Sequence, residues 1–421
     1  MPRTAVLLIP GFFGYSTFGD PAHPILEYFA GVEAVLRPKL PDHFIAAHGP
    51  PPTGSLQSRA CSLFVAIDKL LRGQKLPNAE RAFEADRVHL VGHSTGGVDA
   101  RLFANPAFDL GPDVPQSRRL EMIARLGNIV TVSAPFYGTP IADHIRKEDR
   151  LLLEAVRILT MLGVFTHGDL VRFGIELVKL TPMAVARDPL AALGALLKAF
   201  DPPMSMHDLA RLVVQKASGT TAPALLVDAL RSGKTPMQRD VVVKQLSEFF
   251  DSIETHQELL PELAPGSIER RTAELVATDY GRDGNGKIVS YVSVSPPPAN
   301  SVRAVIESFA KLEVLQRFVY DTLYQATSGD AIDRPVPEGR LLSQSANAEA
   351  LLADAKASDG VVPARSQTLD GKAAGIVVGD HLDVVGSFDG GSGVNVMRSG
   401  ANFTGRDFEA LWGDVANSLK P

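Results

Sequence analysis

The chain has 421 residues, 45% hydrophobic and 21% charged, and its 48 acidic and 42 basic side chains leave a net charge of −6. That is enough chain for one large α/β domain or two ordinary ones with a sizeable core, and no basic cluster suggests a nucleic-acid partner. The single cysteine, Cys61, rules out an intramolecular disulfide.

Met1 to Tyr15 lacks the apolar core and small-residue cleavage site of a secretory signal, and its apolar run, Ala5 to Ile9, reads as the first core strand. Thr4 to Ile9 and then Ala34 to Leu36 read as strands. Leu56 to Leu71 has the spacing of an amphipathic helix, with Leu56, Ala60, Leu63, Phe64, Ile67, Leu70 and Leu71 on one face. Ser55 is its expected N-cap and Gly73 its stop, and Cys61 is expected to be a buried apolar residue within it. Val88 to Val91 and Asn128 to Ser133 are the next strands. Strands separated by helical patterns imply an α/β fold with a mainly parallel sheet flanked by helices.

Between the strand at Val88 and a helix over Gly97 to Ala104 stands Gly92-His93-Ser94-Thr95-Gly96. Strand, G-x-S-x-G and helix together describe a nucleophile elbow, a sharp turn that lifts a serine hydroxyl clear of the backbone. The glycines are needed because side chains at Gly92 and Gly96 would strike the neighbouring strand and helix. Ser94 is therefore the candidate nucleophile. It requires a base, an orienting acid and oxyanion donors elsewhere in the chain.

From about Ile145 to His256 apolar residues recur at helical spacing, broken by prolines, with no strand signal of comparable strength. We expect a helical cap or lid over residues 145–270, inserted between core segments 1–144 and 271–421. None of its runs reaches the ~18 apolar residues of a membrane span. A greasy inner face would accept an acyl chain and could touch a lipid surface transiently. Lys287 to Val294 and Gly375 to Val378 return to strand, and Thr404 opens a closing helix with Phe408, Leu411, Trp412, Val415 and Leu419 as its buried stripe.

Of the histidines after the elbow, His381 directly follows the last expected strand, at the carboxyl end where loops converge on the site of a parallel sheet. It is the candidate base. Asp359, in the polar turn Ser358-Asp359-Gly360-Val361-Val362-Pro363, is the preferred acid, with Asp354, Asp370 and Asp380 as fallbacks. The oxyanion donors are backbone N–H groups: Thr95, directly after the nucleophile, and Phe12 in Pro10-Gly11-Phe12-Phe13-Gly14. His93 is expected to pack against the sheet without a role of its own.

These segments resemble the bacterial true lipases and esterases of the α/β-hydrolase superfamily. Leu8 to Gly14 resembles the family's oxyanion segment, with Pro10 where a histidine is usual. Asp86 to Gly97 matches the elbow, and Ser133 to Asp143 resembles a further family segment in which Phe136 replaces a histidine. Ser358 to Pro363 and Asp380-His381-Leu382-Asp383 match the acid and base loops. The match covers roughly Thr4 to Asp143 and Tyr291 to Asp383, and not the insertion.

The resemblance implies an α/β-hydrolase fold and a serine hydrolase acting on small-molecule or lipid esters, with Ser94, Asp359 and His381 as its triad. Other acyl bonds (thioester, polyester, amide), acyl transfer to an alcohol and a non-catalytic scaffold are the alternatives. No cofactor is required. Many such lipases bind a structural calcium through the aspartate two residues after the catalytic histidine; Asp383 stands there, and capping its own loop is its alternative role. The absence of a signal pattern and of an apolar span suggests a cytoplasmic protein, with leaderless secretion as the alternative.

Overall fold

Seven strands form one sheet, in the spatial order His43–Ala47, Thr4–Ile9, Arg87–His93, Leu126–Val132, Ile288–Val294, Lys372–Val378 and Glu338–Leu341. The computed structural model describes residues 2–20, 23–146, 244–245, 248–249, 251–253, 255–275, 278–281, 286–298, 312–329, 331–343, 348–393 and 395–420. The cap expected over 145–270 therefore lies mostly outside the described residues.

In chain order the elements are β1 (Thr4–Ile9), β2 (Thr17–Asp20), β3 (His23–Glu27), α1 (Val32–Leu36), β4 (His43–Ala47), α2 (Leu56–Leu71), β5 (Arg87–His93), α3 (Thr95–Ala104), α4 (Gln116–Ile123), β6 (Leu126–Val132) and α5 (Pro140–Arg146). They continue with α6 (Leu259–Leu263), α7 (Pro265–Leu275), β7 (Ile288–Val294), α8 (Leu312–Thr327), β8 (Glu338–Leu341), α9 (Ala348–Ala353), β9 (Lys372–Val378) and α10 (Gly405–Ser418). Every pairing within the main sheet is parallel, and β2 and β3 form a separate antiparallel pair.

All six residues of β1 are buried, as a parallel strand covered on both faces requires. Its alternate side chains divide between two cores. Ala5, Leu7 and Ile9 join the stripe of α2 and the inner side of α3, while Val6 and Leu8 join Val32, Leu36, Leu411, Trp412 and Val415 from α1 and α10. Trp412 is fully buried, and its indole N–H donates to the Val384 carbonyl at 2.8 Å. The expected start of α10 is present, with the Thr404 N–H donating to the Asp407 carboxylate at 2.9 Å.

Two expectations need correction. Ala34 to Leu36 is helical, inside α1, because Val32 and Leu36 bury one turn apart after Gly31, whose φ of 77° turns the chain. A three-residue apolar run carries no period that separates helix from strand, and the missing strand is β4, paired with β1. Cys61 is only partly buried, since it lies off the inner face of α2. Arg59, beside the apolar stripe of α2, is fully buried.

The strand order sets the position of the site. From β1 the chain crosses to β4 on one side and then returns to β5 on the other. That reversal opens a crevice beyond the carboxyl ends of β1 and β5, where ligands bind in open parallel sheets. Gly11 and Ser94 follow those two ends.

Candidate active site

β5 runs straight into α3 through Ser94, whose backbone is held at φ 54° and ψ −132°. A non-glycine residue in this region costs about 1–3 kcal/mol and persists only when its surroundings impose it. Here the Ser94 N–H donates to the Val132 carbonyl at 2.9 Å, and the Gly97 N–H donates to the Ser94 carbonyl at 2.9 Å. The flanking glycines act as their spacing suggests. A Cβ on Gly92 would sit 2.3 Å from the Gly96–Gly97 backbone, and one on Gly96 would sit 2.1 Å from the Ile9 carbonyl oxygen.

The loop after β1 closes over this turn. A Cβ on Gly11 would lie 2.5 Å from the Ser94 Cβ and 2.9 Å from its Oγ, so only glycine permits the approach. Arg59 holds that loop from beneath. Its guanidinium pairs with Asp99 at 2.7 Å and donates to the carbonyls of Pro10 at 2.9 Å and Gly11 at 3.3 Å. The Gly14 N–H also donates to the Gly11 carbonyl, at 3.0 Å. The Gly11 carbonyl and the Phe12 N–H belong to one trans peptide, so fixing the former turns the latter the opposite way. Among the described residues no partner is found for the Phe12 N–H, and the Thr95 hydroxyl is buried without one.

On the far side of the elbow the His381 Nδ1 lies 2.8 Å from Asp359 Oδ2. Asp359 is fully buried and surrounded by donors. Its Oδ1 accepts from the N–H groups of Val361 at 3.0 Å and Val362 at 2.7 Å. Its Oδ2 accepts from the Ser293 hydroxyl at 2.8 Å and the Gln367 amide at 3.3 Å. With both oxygens supplied from the protein, the carboxylate has one orientation left, toward the imidazole. Nδ1 donates to it, which leaves the Nε2 lone pair free to take a proton.

The fallback acids are not in this contact. Asp354 and Asp370 are exposed and accept from the N–H groups of Lys356 and Lys372, two residues on. Asp380 is buried but turned into its own loop, where it accepts from the N–H groups of Leu382 at 3.0 Å and Asp383 at 3.1 Å. Burial pushes its carboxyl up to about 6, against the pull of those donors. Asp383 closes the same turn by accepting from the Asp380 N–H at 2.8 Å. Calcium needs six to eight oxygen ligands, and among the described residues no group of three or more His, Cys, Asp or Glu could hold a metal ion. Asp383 caps this loop, and among the described residues it stands in no such group.

Several residues of the site carry no signal in the sequence. Ser293, near the end of β7, and Gln367 hold the Asp359 carboxylate from 66 and 8 residues away. His93 is fully buried, as expected, but it is not merely packing: its Nε2 lies 3.0 Å from the His381 carbonyl oxygen and its Nδ1 2.7 Å from the Tyr28 hydroxyl. It joins the loop that carries His381 to the strand end beside Ser94, with the two imidazole centroids 4.6 Å apart. Phe136 is buried too, with the Arg101 guanidinium 5.8 Å from its ring centre.

No family model matches the chain. It is 28% identical to a triacylglycerol lipase of Pseudomonas fragi over 144 residues, which are 34% of this chain and 39% of that protein. The match thus spans well under half of that relative's length. Among solved structures it is similar to lipase 1 of Pelosinus fermentans, with a TM-score of 0.46 and 14% identity over 99% of each chain. The Staphylococcus hyicus lipase gives a TM-score of 0.45 and 12% identity over 99% of this chain and 95% of that one. The all-parallel seven-stranded sheet with its Ser94 elbow has the arrangement of an α/β-hydrolase fold, and over part of its length the chain is similar to the Pseudomonas lipase.

Proposed function

We propose that the protein is a serine carboxylic-ester hydrolase, cleaving esters with an apolar acyl chain through an acyl-enzyme on Ser94. The observation that carries this reading is the 2.8 Å contact between His381 Nδ1 and the fully buried, donor-surrounded Asp359, on a loop joined by His93 to the strained serine turn. The activity of the Pseudomonas relative, a triacylglycerol lipase, agrees with it.

In this reading the Ser94 Oγ attacks the ester carbonyl carbon while His381 Nε2 takes its proton. Asp359 keeps the imidazole in the required tautomer and stabilises the imidazolium that forms. The carbonyl oxygen gains negative charge, which the N–H groups of Phe12 and Thr95 receive; the latter also stands at the positive end of α3. Collapse of the tetrahedral intermediate breaks the bond to the alcohol oxygen, and His381 returns its proton to the leaving alcohol. Water, deprotonated by His381, then adds to the acyl-enzyme, and the acid leaves as Ser94 recovers its proton. No cofactor enters this sequence.

Hydrolysis of a chromogenic ester series from acetyl to palmitoyl, with Ser94→Ala as control, tests the reading. Serine-dependent turnover that peaks at long chains is the expected result. A peak at short chains keeps the mechanism and makes the enzyme an esterase for small acyl groups. Turnover that survives in Ser94→Ala, or none at any chain length, overturns the assignment to esters.

A further inference from the structure

Gly11, Tyr28, His93 and His381 are tied together by one line of hydrogen bonds. The Gly11 N–H lies 3.1 Å from the Tyr28 hydroxyl oxygen. An amide can only donate, so that oxygen accepts and the single phenolic proton points to His93 Nδ1, 2.7 Å away. An accepting Nδ1 places the imidazole proton on Nε2, 3.0 Å from the carbonyl oxygen of His381. The line starts at a group that must donate and ends at one that must accept, so one arrangement of protons fills it. Its members border on the groups of the proposed reaction: Gly11 precedes Phe12, His93 precedes Ser94, and His381 is the base itself.

We propose that Tyr28 and His93 are positioning residues, which lock the oxyanion-side loop after β1 and the backbone of the base in one relation to the Ser94 elbow. This rests on the serine-nucleophile reading above. Neither side chain touches the acyl group in that mechanism; they act through Gly11 and His381. Simple packing would require only that the two rings fill space, and an apolar pair would do so without placing a donor and an acceptor at opposite ends. Burial, with the His381 imidazole nearby, holds the His93 imidazole well below its usual titration range, so it stays neutral as the line requires. Burial likewise keeps the Tyr28 phenol protonated.

Tyr28→Phe is the direct test, because it keeps the ring against Tyr15 and Phe29 and removes only the hydroxyl. Two quantities are read: the second-order rate at which a fluorophosphonate labels Ser94, and kcat and KM on the best ester of the series. We expect the labelling rate and kcat to fall about tenfold with KM changed less than about twofold, because loosened positioning weakens only what forms in the transition state. His93→Phe should give a similar loss, and the double variant no more than the larger single loss, since both break the same line. Labelling of Tyr28→Phe at the wild-type rate overturns the proposal, and it decides alone if His93→Phe fails to fold. Wild-type protein that is labelled, and more slowly in Tyr28→Phe, yet turns over no ester would overturn the proposed substrate class and uphold the positioning role. Wild-type protein that is not labelled overturns both.

Discussion

Strand β5 carries a histidine near each end, and the two differ in what they hold. His89 and His93 are both buried, and in both the Nδ1 accepts a hydrogen bond. At the amino end, His89 receives the Asn128 N–H at 2.8 Å from the adjacent strand, and its ring lies over Gly127, where a Cβ would come within 2.4 Å of it. At the carboxyl end, His93 reaches outside the sheet, to Tyr28 and to the loop that carries His381. The same side chain is a fastener between strands at one end and a link between loops at the other. Backbone strain is divided in the same way. Of the four described non-glycine residues with positive φ, Phe13, Ser94 and Ser133 all follow the carboxyl ends of β1, β5 and β6. A parallel sheet collects its loops at that end, and there stability is traded for fixed geometry.

If this division is right, changes at the carboxyl end cost activity and changes toward the amino end and the opposite core cost stability. The largest effect is expected for Ser94→Ala and His381→Ala, which should lower kcat on the best ester by about 10⁶-fold with the melting temperature kept. Asp359→Ala should cost on the order of 10⁴-fold, because the imidazole loses its tautomer and its counter-charge. Asp380→Asn, at the next buried carboxylate along, should cost less than about tenfold, since it serves its own turn. Parity between Asp359→Ala and wild type would reassign the acid.

Stability should answer to the other region. Trp412→Ala removes a fully buried indole and its hydrogen bond to Val384, and is expected to destabilise by about 3–5 kcal/mol in denaturant titration, with kcat per folded molecule kept. The smallest effect concerns His89. Burial, with His43 and Arg87 nearby, pushes its imidazole down to about 4. Between that value and the unfolded one, about 6.5, the unfolded chain holds a proton that the folded chain does not. Its contribution is therefore complete above the unfolded value and is lost as pH falls through this window, at about 1.4 kcal/mol per pH unit. Melting temperatures of His89→Gln should fall less steeply than wild type over that range, with turnover near neutral pH unchanged. A loss of turnover in His89→Gln would break the division between the two ends.

What was legible in the chain was what chemistry writes locally. The Gly92 and Gly96 spacing encodes a steric demand of the turn, and it is met within a few residues. Asp359 and His381 sit in short polar turns beside apolar strands, so each could be located by the strand next to it. The capping pair Thr404 and Asp407 and the stripe of α10 are local in the same sense. Arg59, Tyr28, Ser293 and Gln367 were not legible, because each does its work on residues brought near only by the folded sheet. Arg59 even stands beside an apolar helical stripe, where its charge is met by Asp99, 40 residues away. His93 belongs with them, because a buried residue beside the elbow has no local mark that separates filling space from making a contact.

In the proposed mechanism Ser94 carries the acyl group. Mass spectrometry of protein quenched during turnover of a slowly deacylated ester tests it most directly. The peptide containing Ser94 should gain the mass of the acyl group minus one proton, and Ser94→Ala should gain nothing. Turnover without an adduct on that peptide, or an adduct at another residue with Ser94→Ala still active, would contradict it.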